Sequence, residues 1–331
     1  LFIIFKVSFL NFFMINYFLK LIIISFFLFF LFLKYNIAEN NQILLNEVLP
    51  GILIYYGENE EPNEINKGAI ANKIAIIGNK SILVYDAGPS KEFAERFIKE
   101  LRKYSKKPIK YLVISHRHFD HAYGIEVYIK KKVTIFIDKT EYSYLKKEGP
   151  LINNLLIKNL GFNEDNINFD NISEERINFL ADSIEVNLGN RRVLIKNLGI
   201  AHTKGDLIAY DFNTNTYITG DVIFIGRAAA FSDANIPMWI NVINNKLDLS
   251  WDYLIPGHGS IINNKLELND TKNWLYFLDN AAKQAVSEGD MISEIFQYPI
   301  PKEIHHLKMK SITLRQGIKK QLDLYRKKYI E

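Results

Sequence analysis

Cysteine is missing from all 331 residues. Disulfides and thiolate metal ligands are therefore excluded, as is a bacterial lipoprotein anchor, whose lipid needs a cysteine after the signal. The lack of cysteine does not by itself assign a compartment. Acids are missing before residue 39, a stretch that holds Lys6, Lys20 and Lys34. Those lysines account for most of the formal net charge of +4, and the remainder is nearly balanced. A concentrated basic face of the kind a nucleic-acid partner needs is also lacking. Short runs such as Lys130–Lys132 and Lys319–Lys320 read as solvated surface. The C-terminal tail has no Gly-rich phosphate loop, so no flavin-binding segment is evident.

What is present is ample for a folded core. Hydrophobic residues make up 48% of the chain and charged residues 24%, ordinary globular values at a length of one or two domains. Residues 1–38 differ from the rest. Read from Met14, Lys20 forms a positive n-region, Leu21 to Leu33 is apolar but for Ser25, and "YNIA" ends on Ala38 before polar residues. That is the layout of a secretory signal peptide. An uncleaved anchor is the alternative: the apolar core would rise only roughly 20 Å as a helix against a hydrocarbon thickness of about 30 Å, with Lys34 snorkelling. Either way the folded part is expected outside the cytoplasm.

Beyond a short linker, strand and helix signals alternate. Residues 68–88 read as a hairpin turning at Gly78-Asn79. Residues 90–104 read as a helix capped by Ser90, with Phe93, Phe97 and Leu101 at helical spacing. An apolar strand at 109–115 and another at 132–138 follow, then a polar helix and a loop-rich stretch over 139–182. Further hairpins are expected at 183–199 and 206–221, a helix at 237–250, a strand at 251–259 and a charged helical tail from 265. The organisation is a segment 1–38, a main domain over 39–262 and a helical extension over 263–331 packed on it.

The chemistry concentrates in "SHRHFDH". Of 7 histidines in the chain, three fall between positions 116 and 121. His116 and His118 alternate just past a strand, so both rings can face one point, and Asp120 extends the same row. His121 should point elsewhere and serve an adjacent centre. Further N and O ligands are expected from His202 in "AHTKGD", Asp221 in "ITGD" and His258 in "PGHG", each at a strand end flanked by glycine.

These motifs, in this order and together with "VYDAG" at 84–88, resemble the metallo-β-lactamase superfamily over about residues 48–260. The resemblance implies an αββα sandwich: two mixed sheets face to face, helices outside, metals at one edge. It implies a first zinc on His116, His118 and His202, a second on Asp120, His121 and His258, and Asp221 bridging them; iron or manganese stay open. Asp86 would orient a metal-bound histidine. Such a pair lowers the pKa of a shared water. The hydroxide would attack an ester, thioester, lactone or amide carbonyl, with Asp120 orienting it. The flanks "IANKIAIIGNKSILVYDAGPS" and "GDVIFIGRAAAFSDANIPMWINVINN" resemble the exported quinoprotein-relay zinc metallohydrolases, which implies an accessory role in a periplasmic oxidation system.

Substrate contacts are less marked. Arg227, six residues past Asp221, either reaches an anionic group of a small-molecule substrate or lies on the surface. Phe224, Phe231 and Trp239 line a pocket or fill the core. His305 and His306 read as a surface pair. Rival readings are a β-lactamase, a diiron redox protein and a non-catalytic accessory protein. No partner macromolecule is indicated, and membrane contact is expected only through a retained N-terminal segment.

Overall fold

Strand alternation decides where the core forms. In the computed structural model, which describes residues 20–28, 43–162, 172–247 and 250–329, twelve strands form two sheets. The first sheet runs in chain order through β1 (Asn46–Leu49), β2 (Ile52–Tyr55), β3 (Lys73–Ile77), β4 (Ile82–Tyr85), β5 (Ile109–Val113), β6 (Thr134–Ile137) and β7 (Ile177–Phe179). It is antiparallel up to β4 and parallel from β4 to β7. The second sheet has the order β12 (Tyr253–Ile255), β11 (Thr216–Ile218), β10 (Leu207–Asp211), β9 (Arg192–Asn197) and β8 (Ser183–Asn187). Only β11 and β12 are parallel there.

Ile52, Ile54, Ile74 and Ile76 from the first sheet meet Val193, Ile195, Leu207 and Ala209 from the second in one buried cluster. The period-two pattern sends Ile208, between two of these, to the opposite face. There it joins a helical core with Trp239, Trp274 and Leu322. The layers are thus the expected αββα sandwich.

The helices are α1 (Lys91–Tyr104), α2 (Phe119–Ala122), α3 (Ile125–Lys130), α4 (Lys139–Leu160), α5 (Ile236–Asn245), α6 (Asn269–Glu288), α7 (Ile292–Ile295) and α8 (Lys310–Tyr329). Local chemistry sets their ends. Ser90 Oγ accepts from Phe93 N at 3.0 Å to start α1. Asn235 caps α5, whose second residue is Pro237. The 183–199 hairpin turns at Gly189 and Asn190, both at positive φ (87° and 54°), as a tight two-residue turn requires.

Residues 45–331 form one compact unit. Of the 1–38 segment, only residues 20–28 are described: they are helical, with Phe26 and Phe27 exposed. The rest of that segment, including the expected cleavage region, lies outside the described residues. Among the described residues no helix is long and apolar enough to cross a membrane.

Candidate metal centre

Five chain segments reach one edge of the sandwich, each leaving the C-terminal end of a strand: Asp86 after β4, residues 116–121 after β5, His202 after β9, Asp221 after β11 and His258 after β12. Two close approaches make glycine necessary there. A Cβ on Gly257 would lie 2.1 Å from Asp221 Oδ1, and Gly220, at φ +50°, would press a Cβ to 2.7 Å from Ser115 Cβ.

The seven expected residues gather into two groups whose donor atoms converge, all buried but His118: one of His116, His118, His202 and Asp221, the other of Asp120, His121 and His258. In the first, His118 Nδ1 is 3.0 Å from His116 Nε2 and 3.1 Å from His202 Nε2. Asp221 Oδ2 lies 3.4 Å from His202 Nε2 and 3.8 Å from His116 Nε2. In the second, Asp120 Oδ2 is 3.5 Å from the Nε2 atoms of both His121 and His258. Asp221 Oδ1 is 3.1 Å from His121 Nε2 and 3.3 Å from His258 Nε2. Asp221 therefore presents one oxygen to each group.

One expectation needs correction. Asp120 does not continue the extended row of His116 and His118, because the chain turns into α2 at Phe119. The short helix sends Asp120 and His121 together toward the second group.

Hydrogen bonds outside the groups aim the rings. His118 Nε2 donates to Asp233 Oδ2 at 3.0 Å, leaving Nδ1 facing inward as an acceptor. His121 Nδ1 donates to Asp86 Oδ2 at 2.7 Å, and His258 Nδ1 to the Ile70 carbonyl at 2.8 Å, so their Nε2 atoms face inward. Asp86 also accepts from Ser115 N at 2.8 Å and sits at φ 65°, a strained setting that an aspartate tolerates. The His202 ring is held by aromatic packing instead, edge-on to Trp239 at 5.1 Å. Phe224 stacks on His258 at 4.9 Å, whereas Phe231 packs on Trp274 in the core.

The donor set fits a metal. His121 Nε2 and Asp221 Oδ1 are buried without a hydrogen bond although they lie close together. Nitrogens 3.0–3.1 Å apart in the first group approach the edge of a tetrahedron with ligand distances of about 2.0–2.1 Å. Burial pushes His116 well below the usual imidazole range and His202 down to about 3, which keeps both as neutral ligands. His121 behaves oppositely. Burial lowers it, but Asp221, Asp120 and Asp86 together raise it to about 10. Three carboxylates thus call for positive charge at that point. For Asp221, burial opposes ionisation, and His121 and His258 nevertheless hold it well below the ordinary carboxylate range.

Two acids that sequence reasoning did not single out complete the frame. Glu141, on the first turn of α4 and fully buried, accepts from Arg117 N at 3.1 Å and Lys204 N at 2.9 Å. It ties the loop of His116 and His118 to the loop of His202. Asp233 accepts from His118 and from Arg117 Nη2 at 2.9 Å. Glu141 stands in no quoted motif; Asp233 lies within the 220–245 flank that carries a resemblance, but nothing local marks either acid as a support.

A cavity of about 260 Å³ opens beside both groups. Phe119, Tyr123, Leu145 and Ile152 line it on one side, and Arg227 lines it near His258. Arg227 is 5% exposed, with Nη1 3.5 Å from His258 Nδ1 and Nε without a hydrogen bond. His305 and His306 belong to neither group and are exposed, and His306 pairs with Asp270 at 2.8 Å.

Comparison with known proteins bears on the family and the fold. The family model described as "Metallo-beta-lactamase superfamily" matches residues 69–276. Two similar solved structures are TMB-1, with a TM-score of 0.53 and 17% identity over 71% of this chain and 97% of that one, and a metallo-β-lactamase from Pontibacter korlensis, with 0.55 and 15% over 71% and 99%. Among curated proteins, a linear primary-alkylsulfatase from Pseudomonas sp. (strain ATCC 19151) is 27% identical over 89 residues, which are 25% of this chain and only 17% of that protein.

Proposed function

We infer the function from the family: the chain belongs to the metallo-β-lactamase superfamily, whose members are hydrolases. On our reading it is an exported dinuclear zinc hydrolase. His116, His118 and His202 would hold one ion and Asp120, His121 and His258 the other, with Asp221 within reach of both. The observation that carries this reading is the placement of Asp221, one carboxylate oxygen toward each group. Iron or manganese would suit the same N and O donors. When bound, such a pair supplies Lewis acidity and brings the pKa of water toward neutrality.

The protein's own groups supply the rest. Asp120 directs Oδ2 at His121 and His258, which leaves its second oxygen to orient an attacking water. Phe224, Phe119 and Tyr123 narrow the approach to the reacting bond. Arg227 has no carboxylate paired with it among the described residues, and a buried guanidinium is costly without an anion. It holds an anionic group of the substrate, and the Phe119–Ile152 side takes an apolar portion. The substrate class is a small anionic ester, thioester, lactone or amide.

The partial likeness to an alkylsulfatase favours a second reading, a sulfate ester with its anionic end at Arg227 and its chain on the apolar wall. The fold neighbours share architecture and do not favour a β-lactam over other carbonyl substrates. The apolar segment before residue 39 supports export, with a role beside a periplasmic oxidation system as its setting. Protease accessibility in intact cells checks that placement.

Metal content and a panel of anionic esters, thioesters, lactones, lactams and alkyl sulfates test the chemistry on purified protein. We expect two zinc equivalents and carbonyl-ester hydrolysis that a chelator abolishes. Alkyl sulfate turnover alone would select the second reading. Full hydrolysis by metal-free protein would sink both.

A further inference from the structure

We propose that the C-terminal helix α8 is a positioning element of the first ligand group: Gln321 and Lys320 hold the 231–234 segment and Asp233, and Asp233 aims His118. This helix lies beyond the residues that match the family model.

His118 is the ring most in need of such support. Its side chain is 25% exposed, against 0% for His116 and 1% for His202. Buried Ser115 Oγ, 2.9 Å from Nδ1, fixes His116 and packing fixes His202, whereas a hydrogen bond to Asp233 at the exposed edge fixes this one. That bond sets both the angle of the ring and its tautomer, with the proton on Nε2 and Nδ1 free to face His116 and His202.

Asp233 is in turn held from α8. Its Oδ1 accepts from Lys320 Nζ at 2.6 Å while Oδ2 serves His118 and Arg117. Behind it, the Gln321 amide, 1% exposed, donates to the Phe231 carbonyl at 3.0 Å and the Ala234 carbonyl at 2.9 Å. These two bonds clamp the backbone on either side of Asp233, and without Gln321 both buried carbonyls would lack those donors. The helix also lies directly on this segment: a Cβ on Gly317 would be 2.6 Å from the Phe231 ring. Lys320 is 57% exposed, so its pair adds little energy and acts as a guide. Gln321 carries the larger share.

The competing explanation is that α8 only closes the core through Ile318 and Leu322. The two are separated by reading His118 itself. In full-length, chelator-treated protein labelled with ¹⁵N-histidine, long-range ¹H–¹⁵N correlation reports the tautomer of each ring, whichever metal the site takes. We expect His118 protonated on Nε2. Gln321→Leu should mix its tautomers and leave those of His121 and His258 unchanged. After zinc is restored, chelator competition should show the first group weakened about tenfold. Lys320→Met should do the same to a smaller extent, and Lys320→Arg should restore the native signals. Leu322→Ala, a core truncation on the same helix, should lower Tm yet leave His118 as it was. An unchanged His118 in Gln321→Leu, or an equal disturbance in Leu322→Ala, overturns the proposal. Should Gln321→Leu not fold, Lys320→Met decides, and a native His118 spectrum there overturns it as well.

Discussion

The two ligand groups share Asp221 and are built on different principles. The second is anchored inside the sandwich. His121 leans on Asp86, and Asp86 also takes Ser115 N, so ligand and support both belong to the β4–β5 edge. His258 is fixed by a backbone carbonyl and by Phe224. The first group is assembled from loops. Apart from His116, which Ser115 Oγ holds at 2.9 Å, its rings depend on Glu141, Asp233 and the turn at Thr203–Asp206, which come from α4 and from excursions outside the sheets. A centre made this way has one ligand set fixed by the scaffold and one adjustable from the periphery. Changes at the periphery should therefore separate the two.

The largest effect belongs to the residue that removes the distinction. Asp221→Ala takes an oxygen from each group at once, and we expect bound metal and hydrolysis to vanish together, as measured by metal analysis and turnover. Retention of one full equivalent would show that the groups do not share Asp221. Asp86→Ala comes next and should act mainly on the second group, because its link to the first runs only through Ser115 Oγ, 3.0 Å from Asp86 Oδ2 and 2.9 Å from His116 Nδ1. It leaves His121 Nδ1 and Ser115 N buried without their acceptor, at about 1–3 kcal/mol each. Affinity for the second ion should drop about 10–100-fold, and a zinc titration should still show a tight first equivalent.

How much of this could be read along the chain follows the same division. The second group and its support lie in or near motifs: Asp86 in "VYDAG", Asp120 and His121 in "SHRHFDH", His258 in "PGHG". Rare residue types at strand ends made them visible, and the sheets positioned them with little freedom. The 183–199 hairpin that carries Val193 and Ile195 was likewise legible, whereas its packing on Ile52 and Ile54 emerged only from the fold. The supports of the first group were not visible. Glu141 is one acid on a polar helix, Asp233 one acid in a loop, and Gln321 one amide in a charged tail. Each acquires its role only when distant segments meet, a tertiary fact that no local pattern encodes. The row expected for Asp120 failed for a related reason: strand periodicity was extended past the point where α2 begins.

Proton concentration should distinguish the groups as well. Asp206 closes the His202 turn, accepting from Thr203 N at 2.9 Å and Thr203 Oγ1 at 2.8 Å. Burial raises it to about 7, with Glu141 adding to the rise and the Thr203 bonds opposing it. The folded state thus holds this proton more tightly than the unfolded chain. The resulting stability is fully present below the unfolded value of about 3.9 and is lost as pH rises through about 7. In metal-free protein that amounts to about 4 kcal/mol as an upper bound. Asp206→Asn should flatten the fall in Tm between about pH 4 and 7. An unchanged slope would place the titration elsewhere.

The smallest effect is expected at Glu141, and it is the most selective. Its Oε1 accepts from Lys204 N and Arg117 Nη1, and its Oε2 from Arg117 N and Arg117 Nη1. Glu141→Gln keeps the shape but supplies only one acceptor. If the amide oxygen stays with Lys204 N, the amide NH₂ must face the Arg117 donors, and that side of the clamp opens. If it turns the other way, the His202 loop is released instead. Either outcome costs about 1–3 kcal/mol for the unpaired donors and loosens one of the two loops that bring His118 and His202 within 3.1 Å. Among the described residues none of the second group hydrogen-bonds Glu141, whose partners are Arg117 and Lys204, so that group has no reason to change. Chelator competition should therefore show the first ion bound a few-fold more weakly and the second unaltered. Equal weakening of both would mean that the loops and the sheet edge move as one body, and the contrast between an anchored and an assembled half would fall.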